Sequence, residues 1–525
     1  MKRVAIYVLR HLEYKKRAFL DLMHRAWNKA GIESHCLSVS ELGKKLKALD
    51  CDELILYDDR LIGPFADVSD LLERADAAKS SCWRLAGSSP MVGLRDSLWQ
   101  RGDVIAALVE ADMVSRLSTL LKEPPELYDT ASMRDLTDEP MLDEPLRMAA
   151  QGCPFFEHEL FHRDYDEVII SNLGHQGKLF YHWLFQHAPI WIGPIWDFLL
   201  SNFHQEDIYQ NLHLSYILPT RVSDPQKAER IIQDRGLLLI MHLYYPDLFE
   251  ESCACAARFP RETDVCITTN SEEKAAKIRE YFSKLGFHSL IVRVIANRGR
   301  DVSSLLVGAR DLLDRYEYIC FFHDKKTLQT KPGSIGLGFA DKMIENMFGS
   351  RNYVNNVINL FADNERLGIL SPPAPHHADY YFTQGIDWGP NYEQTRELAE
   401  KLGFDVPIAP DRKPIAPLGT CFWFRSKALE PLYKVEWKYE DFPPEPNNTD
   451  GTLLHAIERV YPIASAAAGY YPAYVLTDRW AKVDYSSFRY YVEGYNKVCF
   501  HHGMINYQKA MRDEIIRRLK GQEGL

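Results

Sequence analysis

The chain has 525 residues and a net charge of -11, from 73 acidic and 62 basic side chains. That length is too great for one ordinary hydrophobic core, so two or three domains are expected. The acidic balance excludes broad, non-specific binding to nucleic acid, which needs a basic surface, but leaves room for a local cationic pocket.

The opening stretch "MKRVAIYVLRHLEYKKR" is basic, then apolar, then basic. Its apolar run is too short for a signal peptide and reads as a first buried strand. Residues 1–90 then alternate, with "VAIYVL" and "DELILYDDRLIGPF" as strands and "KKRAFLDLMHRAWNKAG" and "VSDLLERADAA" as helices. This is the pattern of a small α/β unit. Residues 91–220 read as mostly helical, with "DYDEVIISNL" a candidate strand. "LFYHWLFQHAPIWIGPIWDFLL" (179–200) has the length of a membrane span but carries His182, His187, two prolines and Asp197. It reads as two short buried helices broken at Ala188-Pro189, or as an aromatic surface lying on a bilayer. "LPTRVSDPQ" near residue 220 is a linker by composition.

Alternation resumes from 225 to 500. "GLLLIMHLYY", "TDVCITTN", "SLIVRVIAN", "YEYICFFHDKKT", "RLGILSPP" and "GTCFWFRS" read as strands. "SEEKAAKIREYFSKLG", "DVSSLLVGARDLLDR" and "DGTLLHAIERVYP" read as helices, the first opening on a serine cap. Residues 501–525 read as a helical tail. The expected fold is a mostly parallel, doubly wound α/β sheet, in which ligands sit beyond the carboxyl ends of the strands. The ten cysteines are scattered, as expected for reduced cytoplasmic thiols. Cys253 and Cys255 fall short of the roughly four ligands of a closed zinc site.

Four polar clusters follow strands or precede a helix in this region. They are His242-Leu-Tyr244-Tyr245, Asn297-Arg298-Gly-Arg300-Asp301, His323-Asp324-Lys325-Lys326, and Glu445 to Asp450. Each has a plain structural reading. The arginine turn joins a strand to a helix capped by Asp301, the lysines are solvated, and Asp450 caps the helix that follows it. Each also has a functional reading. Backbone N–H groups and arginine hold a diphosphate or ribose. Asp324 holds a divalent metal while the lysines hold phosphates. A carboxylate near a sugar hydroxyl takes its proton as general base. His455 and Glu458, about one helical turn apart, read as a structural pair.

"HLYYPDL", "TTN", "NRGRDVSSLL", "YEYICFFHDKKT", "LGTCFWFRSKALEPL" and "DGTLLHAIERVYP" together resemble the rhamnan synthesis protein F family. "YDDRLIGPFADVSDLLERADAA" resembles that family's N-terminal segment, although Tyr57-Asp58-Asp59-Arg60 replaces its Asn-Asp-Ser. The departure makes residues 1–90 a degenerate transferase-like unit by this reading. The resemblance implies a GT-A-like (Rossmann-like) glycosyltransferase domain. It also implies dTDP-L-rhamnose as donor, a lipid-linked or polysaccharide acceptor of the cell surface (rhamnan, O-antigen or capsule), and inversion at the sugar. Under it, Asp450 is the general base with Glu445 in reserve. His323, Asp324, Lys325 and Lys326 meet the diphosphate, with Asp324 on Mg2+ or Mn2+. Asn297, Arg298, Arg300 and Asp301 hold the donor, His242 and Tyr244 line the base pocket, and Trp388 and Asn391 meet the acceptor. A usual Asp-x-Asp metal motif is reduced here to one carboxylate, which puts the metal in question. It also keeps open a catalytically inactive glycan-binding or assembly protein. The expected location is the cytoplasm, with peripheral contact at the inner face of the membrane.

Overall fold

A computed structural model describes every residue except 16, 111, 123, 134–138, 166, 167, 169–174, 327–331, 378, 379, 381–384, 386, 449 and 502–525. The helical tail expected at 501–525 falls outside the described residues from 502 onward, and so does most of the strand expected in "DYDEVIISNL". The chain divides into two units, Met1–His213 and Leu214–Leu525.

In the first unit, β1 (Arg3–Leu9), β2 (Glu33–Ser38), β3 (Glu53–Asp58), β4 (Cys82–Arg84) and β5 (Met91–Arg95) form a sheet in the order β2-β1-β3-β5-β4. β1 pairs parallel with β2 and β3, and β5 returns antiparallel. Asp58 and Asp59, at the carboxyl end of β3, are buried at 0% and 1% exposure. Arg10 and Arg60 bond to Asp58 at 2.6 and 3.0 Å, and Arg17 reaches Asp59 at 3.2 Å. Asp59 also accepts the main-chain N–H groups of Arg10 and His11. Buried charges persist only when matched in this way. The 179–200 stretch forms helices Gln176–His187 and Ile192–Asn202, separated by the turn Pro189–Trp191. Proline supplies no N–H and disfavours a helical residue before it, so the break falls where the sequence places it. Among the described residues no helix is long and apolar enough to cross a membrane.

The second unit is built on eight strands. They are β6 (Ser215–Leu218), β7 (Leu237–His242), β8 (Asp264–Thr269), β9 (Ser289–Val294), β10 (Tyr318–His323), β11 (Leu367–Ser371), β12 (Phe422–Arg425) and β13 (Tyr471–Thr477). Their order is β9-β8-β7-β10-β12-β11-β13-β6. β12 runs antiparallel to both neighbours, and the other pairings are parallel. All six residues of β7 are buried, as a central parallel strand covered on both faces requires.

Side chains alternate across the sheet with period two. Leu238, Ile240, Ile319, Phe321, Phe422 and Phe424 join one core with helix Leu453–Ala467. On the intervening positions, Trp423 stacks on Phe259 at 5.3 Å and Phe322 meets Phe348 at 5.0 Å. The helix after β8, Glu272–Phe282, opens on Ser271, whose side chain accepts the Lys274 N–H at 3.3 Å. The segment after β9 is less regular than a single helix. It forms a short turn, Arg300–Ser303, then a π-helical stretch, Ser304–Gly308.

Candidate active site at the carboxyl edge of the larger sheet

The parallel register places His242, Thr268 and His323 side by side at the ends of β7, β8 and β10. His242 Nδ1 lies 2.8 Å from Thr268 Oγ1, which lies 2.6 Å from Ser304 Oγ. Burial drives the His242 imidazole down to about 4, so the ring is neutral at pH 7. It shapes the floor of the edge and carries no charge to a phosphate.

Asp324 follows β10 and is 6% exposed. Its carboxylate accepts the Tyr244 N–H at 2.9 Å and the Tyr245 N–H at 2.7 Å. Burial pushes its pKa up, and the two N–H bonds pull against that rise. Asp324 thus ties the loop after β7 to the end of β10. Tyr244 lies under the Lys274 ammonium, 3.8 Å from Nζ to ring centroid, and that ammonium also bonds to Asn270 Oδ1 at 2.8 Å. Lys326 pairs with Asp247 and stands 5.1 Å from the Tyr245 ring. Lys325 is exposed, with Nζ 4.7 Å from the Phe339 ring. His323 directs Nε2 at the Gly419 carbonyl, 2.9 Å away.

The arginine turn reaches away from this group. Arg298 donates to the Phe442 carbonyl at 2.6 Å and to the Glu440 carbonyl at 2.8 Å. Arg300 forks onto Glu445 at 2.8 and 3.2 Å and also bonds to the Asn447 carbonyl at 3.0 Å. Both guanidinium groups therefore hold the 440–447 loop, and Glu445 is an ion-pair partner of Arg300. Gly299 between them has φ +83, and a Cβ there would lie 2.7 Å from atoms of Phe442 and Ser303. Only glycine fits this crossing. Asp301 does not cap the following turn, whose N-cap is Gly299, and among the described residues its buried Oδ2 has no hydrogen-bond partner. Asn297 is exposed.

The 440–447 loop leads to Asp450, which is exposed. The helix Leu453–Ala467 takes Thr452, not Asp450, as its N-cap, so the carboxylate is free of that structural duty. Asp450 Oδ1 accepts Asn391 Nδ2 at 2.9 Å and the Gly451 N–H at 2.8 Å. Partial burial pushes its pKa up. The bonds from Asn391 and Gly451, with His455 and Arg459 nearby, outweigh this and hold the group below the usual aspartate range. Trp388 is 8% exposed and donates Nε1 to the Arg412 carbonyl at 2.7 Å, so its ring belongs to the core. Asn391 is fully buried and acts on Asp450. His455 and Glu458 are not paired. His455 bonds to Thr452 Oγ1, and Glu458 accepts the Gly419 N–H and Thr420 Oγ1, each at 2.8 Å.

The implied divalent metal does not fit these residues. The candidate ligand Asp324 spends its oxygens on main-chain N–H groups, and among the described residues no three His, Cys, Asp or Glu side chains gather as a metal site. The stretch 327–331 that follows reads Thr-Leu-Gln-Thr-Lys and adds no carboxylate. A hard divalent cation needs several oxygen ligands.

Sequence reading missed Asn270, Lys274 and Glu458 as parts of the edge. Asn270 and Lys274 had a signal, since Asn270 directly follows β8 and Lys274 lies four residues further on, in the first turn of the next helix. Glu458 had none, because its partners lie 38 and 39 positions away.

Two relatives, each named uncharacterized protein WxcX, come from two strains of Xanthomonas campestris pv. campestris. Each is 27% identical to this chain over 233 residues, spanning 44% of this chain and 32% of the relative. The profile of rhamnan synthesis protein F matches residues 125–470, about two thirds of the chain and nearly all of the larger sheet. The chain belongs to the rhamnan synthesis protein F family.

Proposed function

We propose that the carboxyl edge of the larger sheet is the active site of an inverting GT-A-like rhamnosyltransferase. It uses dTDP-L-rhamnose to extend a lipid-linked or polysaccharide acceptor of the cell surface. Family membership supports the coarser part of this reading, a role in rhamnan or polysaccharide synthesis. The observation that carries the finer part is Asp450, an exposed carboxylate held below the usual aspartate range by Asn391 and Gly451. Such a group is ionised at pH 7 and can accept a proton without first losing one.

In this mechanism the nucleoside lies over Tyr244 and Lys274, and the diphosphate meets Lys325 and Lys326. The acceptor hydroxyl gives its proton to Asp450 as its oxygen attacks the anomeric carbon. The bond from that carbon to the diphosphate oxygen breaks, and dTDP leaves with the electron pair. Attack opposite a β-linked leaving group gives an α-rhamnoside. The lysines meet the growing charge on the leaving group, and no step passes through a metal. Arg298 and Arg300 act indirectly, by fixing the loop that carries Asp450. The catalysis is cytoplasmic in this account, and a lipid-linked acceptor brings the chain to the inner face of the membrane. Phe185 and Ile190, exposed at 47% and 64%, support that contact.

The test is turnover of dTDP-L-rhamnose by purified protein with a soluble rhamnoside acceptor, read as dTDP release and product mass. The expected product gains one deoxyhexosyl group, and turnover persists in EDTA. Glycan binding without nucleotide release would favour the inactive assembly protein instead. The closed carboxylate of Asp324 is the feature that supports this second reading.

A further inference from the structure

Lys342, His376 and Asp484 meet in the interior of the larger unit. They come from helix Gly333–Phe348, the loop after β11 and helix Asp478–His501. All three are buried, and none takes part in the proposed transfer chemistry. Lys342 Nζ bonds to Asp484 Oδ2 at 3.1 Å and to the Ala374 carbonyl at 3.0 Å, and stands 3.4 Å from His376 Nδ1. His376 Nε2 lies 3.5 Å from Asp484 Oδ1. Three acceptors around Nζ match the three N–H bonds of an ammonium. The Nδ1 lone pair then faces the ammonium, which leaves the imidazole proton on Nε2, toward Asp484. One ammonium, one carboxylate and an uncharged ring balance, as buried charges require.

Helix Asp478–His501 is also tied at its start. Asp478 accepts the Thr220 N–H at 3.0 Å and the Thr220 hydroxyl at 2.8 Å, and Arg479 lies 3.5 Å from Glu345. Past Asp484, Phe488 stacks on the His376 ring with centroids 4.1 Å apart. Tyr485, Tyr490 and Val492 are exposed. We infer that Lys342, His376 and Asp484 form a proton-operated latch, which holds residues 485–494 of this helix at neutral pH and releases them when His376 is protonated. A proton on Nδ1 removes the lone pair and sets an imidazolium against an ammonium, with one carboxylate to serve both. His377 adds no counter-charge, since its Nε2 meets the Ile335 carbonyl at 3.0 Å. Burial holds the His376 pKa below the usual histidine range; Asp484 pulls against this, and Lys342 and His377 add to the fall. The latched state thus binds fewer protons than the released one. Its stability is full above the ordinary histidine value of about 6.5 and is lost as pH falls below it.

Hydrogen exchange of the full chain at about pH 7.5 and about pH 5, on either side of the histidine range, tests the latch. Rates are corrected for intrinsic exchange and read relative to β7. Protection of 485–494 should fall at least tenfold at the lower pH. In His376→Gln, whose amide does not titrate, protection should be equal at the two pH values. In Lys342→Met the protonated His376 is the one cation left to face Asp484, so protection should rise as pH falls. Thermal melts establish that each variant is folded. Unchanged wild-type protection would overturn the inference, as would an acid loss equal to that of wild type in either folded variant.

Discussion

At the residue scale the site depends on how hydrogen bonds set the charge of single carboxylates. Asp450 is held below the usual aspartate range, chiefly by Asn391 and Gly451 acting against partial burial. The base form is therefore present above that lowered value and is lost as pH falls through it. The profile of kcat/KM against pH should stay flat down to about pH 4, the ordinary aspartate value, and fall only below it. In Asn391→Ala the acid limb should move to higher pH, because a bond that favours the carboxylate is gone. An unmoved limb would show that Asn391 does not tune Asp450. Asp324 has a different task. Its removal in Asp324→Ala strands two main-chain N–H groups and should cost about 1–3 kcal/mol of stability, measured by denaturant unfolding. The identities of these residues were legible in the sequence, but their partners were not. The sequence offers Asp324 as a metal ligand and Asn391 as a sugar contact. Each instead meets a group 59 to 80 positions away, a distance no local pattern encodes.

At the element scale the turn Asn297–Asp301 is the crossing point between strand ends and the 440–447 loop that leads to Asp450. Arg298 and Arg300 reach 142 to 147 positions forward to bind that loop. Gly299 makes the approach possible. Gly299→Ala combines a left-handed backbone with a close contact at Phe442 and should cost about 1–3 kcal/mol in unfolding experiments. Arg300→Ala removes two bonds to Glu445 and one to Asn447 from a partly exposed site, so its effect on stability should be small. Its larger effect should be on turnover, through a loosened 440–447 loop, with kcat falling more than KM rises. Equal kcat in Arg300→Ala and wild type would remove this positioning role. Periodicity located the strands because buried parallel strands are apolar throughout. It could not give the direction of Phe422–Arg425, since a buried run of four residues reads alike both ways. It also merged the turn and π-helical stretch after β9 into one helix, because both carry similar apolar spacing.

At the scale of the whole molecule, two units divide at His213 and Leu214, and the family match covers the larger sheet up to residue 470. The first unit has paired Asp58 and Asp59 with arginines, so its strand-end carboxylates serve the fold. The larger unit has left Asp450 exposed and unburdened by helix capping, and carries Lys325 and Lys326 just after β10. That contrast is why the proposed chemistry is sought in the larger unit. The central claim is that Asp450 takes the acceptor proton. The direct measurement compares wild type and Asp450→Asn in dTDP-L-rhamnose turnover at pH 7, with folding of both verified by thermal melts. The account predicts a loss in kcat of about 10²–10⁴-fold, the range of a general base, with little change in donor affinity. Full turnover in a folded Asp450→Asn protein would contradict it.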